Sequence, residues 1–223
     1  MPGPATLLLV NADDLGYDPE IDRGILEAHA RGIVTAATAM VDTPYAARAL
    51  AAAPATLDLG LHAVLEGGLA GAALEADLER QLARFTALRG SAPTHLDSHR
   101  HAHAHPDAEP IFARVAARHR LPLRAIDGAM RARLRAAGVR TADAFLGDAA
   151  VFPFWTRARL SAALAALPPG AVELMCHPGY APSAARTRFG AEREVELDAL
   201  VDPAALDAAG PLLATFAELA EPD

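Results

Sequence analysis

An α/β fold of about seven repeated strand–helix units, curled into a closed or nearly closed, distorted (β/α) barrel, follows from three features of this chain. Short β-branched or leucine-rich runs alternate with longer, alanine-rich helical patterns along its length. Glycines and prolines such as Gly67, Gly68, Gly71 and Pro106 punctuate the alternation. Side chains able to do chemistry fall where the strand-like runs end, the place where a parallel barrel gathers its catalytic groups. At 223 residues the chain can bury a sizeable core, and residues 1–223 read as a single domain.

Thr6–Asn11 reads as the first strand, followed by a turn and a helix near Glu20–Arg31. A β-branched strand at Ile33–Val41 leads to an alanine-rich helix near Tyr45–Ala53. Leu57–His62 is the third strand, and the glycines after it mark a loop before a helix near Leu74–Leu88. Thr94–Asp97 is the fourth; Pro106 then starts a helix running to about His119, since proline suits a first helical turn. Leu121–Ala125, a weak helix, Asp143–Leu146, a helix near Ala158–Leu167 and Val172–Cys176 complete the series.

Composition excludes several classes. The chain is 52% hydrophobic and 22% charged, which suits a globular protein rather than a disordered one. All 20 cationic residues are arginine, which reads as coding bias, and the net charge of −8 repels a phosphate backbone, so no nucleic-acid partner is expected. The single cysteine, Cys176, rules out an internal disulfide and a cysteine-based zinc framework; it reads as a buried strand residue. The first apolar run, about Ala5 to Val10, is too short for a membrane span, and no signal-peptide pattern precedes it. A cytoplasmic location and, on base rates alone, a homodimer are the expectations.

Five of the nine histidines lie within the eleven residues His95 to His105. If this tract begins extended, His95, Asp97 and His99 share a face, and Asp97 can orient His99 for ligation. His101, His103 and His105 then fall in the loop before Pro106, with a solvated polar loop as the plain reading, preferred for His105. His29 and His119 sit on helices and read as surface residues. Asp13 and Asp14 follow the first strand. Adjacent strand residues face opposite sides, but a turn eased by Gly16 lets both reach one pocket and take different tasks. Capping of the following turn or helix is an equal alternative for them. His62 alone suggests a hydrogen-bonded core histidine; its position at a strand end favours a ligand. His177, just before Pro178-Gly179, is placed to donate a proton to a leaving group. One aspartate with two histidines makes a three-ligand site that leaves positions open for water and substrate.

The segments Asn11-Ala12-Asp13-Asp14-Leu15-Gly16, Gly32-Ile33-Val34-Thr35, Gly60-Leu61-His62, Thr94-His95-Leu96-Asp97-Ser98-His99 and Met175-Cys176-His177-Pro178 occur in an order that resembles the YdjC-like carbohydrate deacetylases. That family includes chitooligosaccharide deacetylases and hopanoid-biosynthesis deacetylases, and the likeness covers most of the chain. The resemblance implies a distorted (β/α) barrel related to polysaccharide deacetylases and one divalent metal cation. It implies that Asp14, His62 and His99 hold the metal, Asp13 is the general base and His177 the general acid. The reaction implied is hydrolysis of an N-acetyl group on an amino sugar or short oligosaccharide, releasing acetate. Family tradition favours magnesium, while two imidazoles and a carboxylate also suit zinc or another first-row metal. The segment between Gly68 and Thr94 is shorter than in many relatives and bears on the substrate cleft. A metal-dependent phosphoesterase, and a metal- or carbohydrate-binding protein without turnover, are the alternative readings.

Overall fold

The computed structural model describes residues 6–65, 67, 70–147, 154–187 and 189–219; Gly68, at one end of the shortened segment, lies outside them. Six parallel strands form one sheet: β1 (Leu7–Leu15), β2 (Ala36–Ala39), β3 (Asp58–Ala63), β4 (Leu96–Ser98), β5 (Ala144–Leu146) and β6 (Ala171–Cys176). Their order is β4-β3-β2-β1-β6-β5. The helices are α1 (Pro19–Arg31), α2 (Ala46–Ala52), α3 (Gly71–Arg89), α4 (Glu109–His119), α5 (Gly128–Ala136), α6 (Arg157–Ala165), α7 (Glu192–Leu200) and α8 (Pro203–Ala209). Leu8, Leu9 and Val10 of β1 are fully buried, as expected for a central parallel strand covered on both faces. The chain moves outward from β1 to β4 and returns on the other side of β1 through β5 and β6. The β1–β6 boundary is therefore a topological switch point, where open α/β sheets form their ligand crevices.

Local chemistry explains the elements. Asp18 caps α1 by accepting from the Glu20 amide at 2.9 Å, Pro19 occupies the first turn, and Glu20 and Asp22 place negative charge there. Asp127 caps α5 in the same way, through the Met130 amide at 2.7 Å. α1 packs on β1 and α7, and α3 on α2 and α4. α7 and α8 have no counterpart among the elements predicted from sequence.

Two expectations change. The strand expected at Leu121–Ala125 is a single parallel bridge, Leu96 to Leu123, so the sheet has six strands and remains a curled half-barrel. Leu96 donates to the Pro122 carbonyl at 2.9 Å and accepts from the Arg124 amide at 3.1 Å, but Pro122 has no amide with which to extend the ladder towards Thr94. α4 begins at Glu109, with Pro110 in its first turn, because Ala108 and Glu109 both donate to the His105 carbonyl in an intervening turn.

Candidate active site

β1 runs four residues beyond its expected end and carries Asp13 and Asp14 within it. Ala12 pairs with Ala37 and Leu15 with Ala39, so β1 spends one residue more than β2 over this stretch. The extra residue is a β-bulge, and Asp14 takes φ +76° within it. An L-residue in that region costs on the order of 1–2 kcal/mol. The kink brings adjacent carboxylates to one pocket, each only 2% exposed. The capping alternative fails for both, because Asp18 caps α1. Gly16, at φ +83°, completes the turn as expected.

Asp14, His62 and His99 converge. Asp14 Oδ1 lies 3.4 Å from His62 Nε2 and 3.2 Å from His99 Nδ1, yet this buried oxygen makes no hydrogen bond. Each of the two buried groups is gripped from behind. Arg193 Nη2 donates to Asp14 Oδ2 at 2.5 Å, and His62 Nδ1–H donates to Asp97 Oδ1 at 2.7 Å. The second contact leaves His62 Nε2 free. His99 is the most open of the three, 24% exposed, with the Tyr17 ring edge-on to it at 5.9 Å. Atoms that each lie about 2.1 Å from one cation stand roughly 3.0–3.4 Å apart. The observed spacing, the unsatisfied oxygen and the oxygen–nitrogen–nitrogen donor set all fit a divalent cation. Burial favours the neutral form of His62, but Asp97, Asp13 and Asp14 push its pKa up to about 10. A proton on Nε2 and a divalent cation therefore compete for one lone pair.

Asp97 corrects a sequence expectation: it orients His62, not His99. Parallel pairing places His62 opposite Asp97, and β4 ends at Ser98, so a 3₁₀ turn carries His99 off the face. Asp97 also accepts from Thr38 Oγ1 at 3.0 Å.

Asp13 lies in a different environment. Arg124 Nη1 and Nη2 each donate to one of its oxygens at 2.8 Å, and Asn11 Nδ2 adds a third bond at 3.0 Å. The same guanidinium meets Asp97 Oδ2 at 2.7 Å and donates through Nε to Glu173 Oε1 at 2.7 Å. Burial would raise the Asp13 carboxyl, but Arg124 overrides it and holds the group well below the usual carboxylate range. For Glu173 burial prevails over Arg124, and its pKa is pushed up to about 7. Asp13, His62 and Asp97 also lie close enough to form a second ligand group, but Arg124 already supplies the positive charge there.

His177 follows β6, with Nε2 3.9 Å from Asp13 Oδ2 and its backbone amide donating to Glu196 of α7. Burial pushes its imidazole down to about 4, so it is neutral at pH 7, where the sequence suggested a protonated starting form. All five residues singled out from sequence thus gather at the carboxyl ends of β1, β3, β4 and β6. Cys176 is buried, as expected.

The rest of the histidine tract divides. His95 Nε2 bonds Asn11 Oδ1 at 3.0 Å, and its ring stacks on Phe216 at 3.6 Å. Gly60 makes room for that ring: a Cβ there would lie 2.6 Å from His95 Nε2. His103 corrects the solvated-loop reading, being fully buried and bonded through Nδ1 to Ser98 Oγ at 2.7 Å. His105 is exposed, as expected. His29 is tied by its two nitrogens to Val34 O and Thr56 Oγ1, and His119 to Glu79. Arg124 and Arg193, both buried against aspartates, were missed by sequence reasoning. Arg124 left one signal, a lone charge in the apolar run Leu121–Ile126; Arg193 left none in the charged start of α7.

A buried carboxylate–imidazole cluster with an open face, at the switch point of a curled parallel sheet, defines the class of fold and site, and similarity gives it a family. A family model described as YdjC-like protein matches residues 7–73 and 66–209. The chain belongs to the YdjC-like family. It is 35% identical to a carbohydrate deacetylase of Geobacillus stearothermophilus, over 87% of this chain and 89% of that one. It is 34% identical to a chitooligosaccharide deacetylase of Serratia marcescens, over 96% and 99%. A solved protein of Enterococcus faecalis V583, named for cellobiose-phosphate cleavage, superposes with a TM-score of 0.82 at 25% identity, covering 96% and 98%. A family 4 carbohydrate esterase of Streptomyces lividans shares the fold at a TM-score of 0.52 and 14% identity, covering 98% of each chain.

Proposed function

We propose that this protein is a metal-dependent carbohydrate N-deacetylase that hydrolyses the acetamide of an amino sugar or short chitooligosaccharide to acetate and a free amine. The observation that carries the reading is the unsatisfied Asp14 Oδ1 facing two imidazole nitrogens, beside an aspartate held ionised by Arg124. Asp14, His62 and His99 would hold the cation, magnesium by family likeness or zinc by donor type. Bound there, it would polarise the acetyl carbonyl and acidify the attacking water.

The chain's own residues manage the proton. Asp13 remains ionised across the working pH range, and Arg124 fixes the direction of both its oxygens. Its Oδ2 accepts the proton of the attacking water and faces His177 Nε2. The neutral His177 takes that proton up and delivers it to the amide nitrogen as the C–N bond breaks. The carboxylates of Asp13 and Asp14 favour His177 in its charged moment, against the cost of burial. A phosphoesterase would need a free cationic group to meet phosphate, whereas Arg124 and Arg193 already face Asp13 and Asp14. Among the described residues no helix is long and apolar enough to cross a membrane.

The test is acetate release from N,N′-diacetylchitobiose and longer N-acetylated chitooligosaccharides. Turnover should vanish with EDTA and return on adding a divalent cation. Acetate release undiminished by chelation would refute metal dependence, and phosphate release from a sugar phosphate in its place would refute the reaction.

A further inference from the structure

His101 differs from every other histidine of its tract. His95 bonds Asn11, His99 faces Asp14, His103 bonds Ser98, and His105 accepts from the Asp107 amide at 3.3 Å. His101 Nδ1 is buried without a partner, and neither ring nitrogen hydrogen-bonds a described residue. Its backbone is also set against the ordinary preference of an L-residue: Arg100 and His101 stand consecutively at φ +57° and +53°. The ring is wedged edge-on against Phe145 at 5.7 Å and against His103 at 5.9 Å, while Arg124 lies over the Phe145 ring at 5.5 Å. The tract thus bends out of its preferred backbone region and presents an imidazole beside Phe145, over which Arg124 lies, with no described residue hydrogen-bonded to it.

We infer that His101 is a substrate-contacting residue that sets specificity, its imidazole hydrogen-bonding a sugar hydroxyl on the carbon next to the one bearing the acetamido group. The inference rests on the deacetylase reading. The acyl end of the amide belongs with Asp14, His62 and His99. The nitrogen end, which carries the sugar ring, belongs with Asp13 and His177. Since His101 and Arg124 both approach the Phe145 ring, and Arg124 grips Asp13, the group that His101 meets is the sugar. A neutral imidazole both donates and accepts, which suits a hydroxyl.

Three proteins decide it: the parent, His101→Phe, which keeps a flat ring against Phe145, and His101→Asn, which tolerates the positive φ and keeps polar atoms. On N,N′-diacetylchitobiose, His101→Phe should raise KM roughly tenfold, the worth of one lost hydrogen bond, with kcat within about threefold. His101→Asn should restore most of that loss. Affinity for the metal alone, by calorimetry, should stay within about twofold in both variants. An analogue with the neighbouring hydroxyl replaced by hydrogen should lose the same factor against the parent and nothing further against His101→Phe. Parental KM in His101→Phe overturns the inference and leaves the deacetylase reading standing. Loss of metal affinity in step with kcat also overturns it, since that marks a purely structural role. If His101→Phe does not fold, His101→Gly, which accepts the positive φ and has no polar side chain, takes its place in the comparison with the deoxy analogue. A parent that neither binds nor cleaves the disaccharide overturns both readings together.

Discussion

Asp13 and Asp14 are neighbours on one strand, equally buried, and held in opposite ways. Arg124 takes both oxygens of Asp13, whereas Arg193 takes one oxygen of Asp14 and leaves the other facing two imidazoles. The contrast shows that a carboxylate's task here depends on how much of it a buried guanidinium leaves free. Bound on both sides, Asp13 is oriented and held ionised, as the proposed base must be; bound on a single side, Asp14 keeps an oxygen free for the proposed cation. The bulge at Asp14 makes the two environments possible, since a regular strand would send one side chain to the other face.

The largest effects should come from the open half. Asp14→Ala and His99→Ala should each abolish tight cation binding and lower kcat/KM by roughly a thousandfold or more, because both binding and charge stabilisation depend on them. Calorimetric titration with the metal, beside acetate release, checks both. A variant binding the cation as tightly as the parent would remove that residue from the ligand set. Asp13→Asn should sharpen the contrast: metal affinity near the parent's, with turnover down on the order of 10²–10⁴-fold. Near-normal turnover would end the assignment of Asp13 as base.

The closed half should answer mainly in stability. Arg124→Met leaves Asp13, Asp97 and Glu173 buried without their cation, and breaking a buried pair from one side costs about 3–5 kcal/mol. Chemical denaturation at pH 7 reads that loss directly. An unchanged midpoint would mean that the carboxylates shed their charge on losing Arg124.

The sequence revealed the positions of these residues better than their partners. The convergence of the five candidate residues was legible because each follows or ends an apolar run, which the barrel rule turns into a shared pocket. Arg124 was not, since its partner Asp13 lies 111 positions away and nothing local announces the pairing. Asp97 was read onto the wrong histidine, because alternation along one strand is visible in sequence whereas register across two strands is not. The seventh strand failed on one atom, the amide that Pro122 lacks. The bulge, and with it the division of labour between the two aspartates, has no signature beyond Gly16.

The smallest effect is a pH dependence confined to the closed half. Glu173 has a folded pKa pushed up to about 7 by burial, against an ordinary value of 4.5. A carboxyl raised on folding stabilises most while protonated, so its contribution is complete below about pH 4.5 and disappears as pH rises through about 7. Asp13 and Asp14 act oppositely and elsewhere. Both are lowered on folding, so their contributions are present above the ordinary 3.8 and are lost only as pH falls through their folded values. Between pH 4.5 and 7, Glu173 therefore changes stability by at most about 1.4 kcal/mol per pH unit. Glu196, also raised to about 7, and Asp22, raised to about 6, slope the same way, so the parent alone cannot isolate the effect. Glu173→Gln can, because it keeps an oxygen for Arg124 Nε and removes the titration. His95, His101, His103 and His177 are lowered on folding by burial and slope the other way below pH 6.5, so the expected outcome is a difference: from pH 5 to pH 7.5 the parent's urea midpoint should lose ground relative to that of Glu173→Gln. Parallel profiles would show that Arg124 keeps Glu173 ionised as firmly as it keeps Asp13.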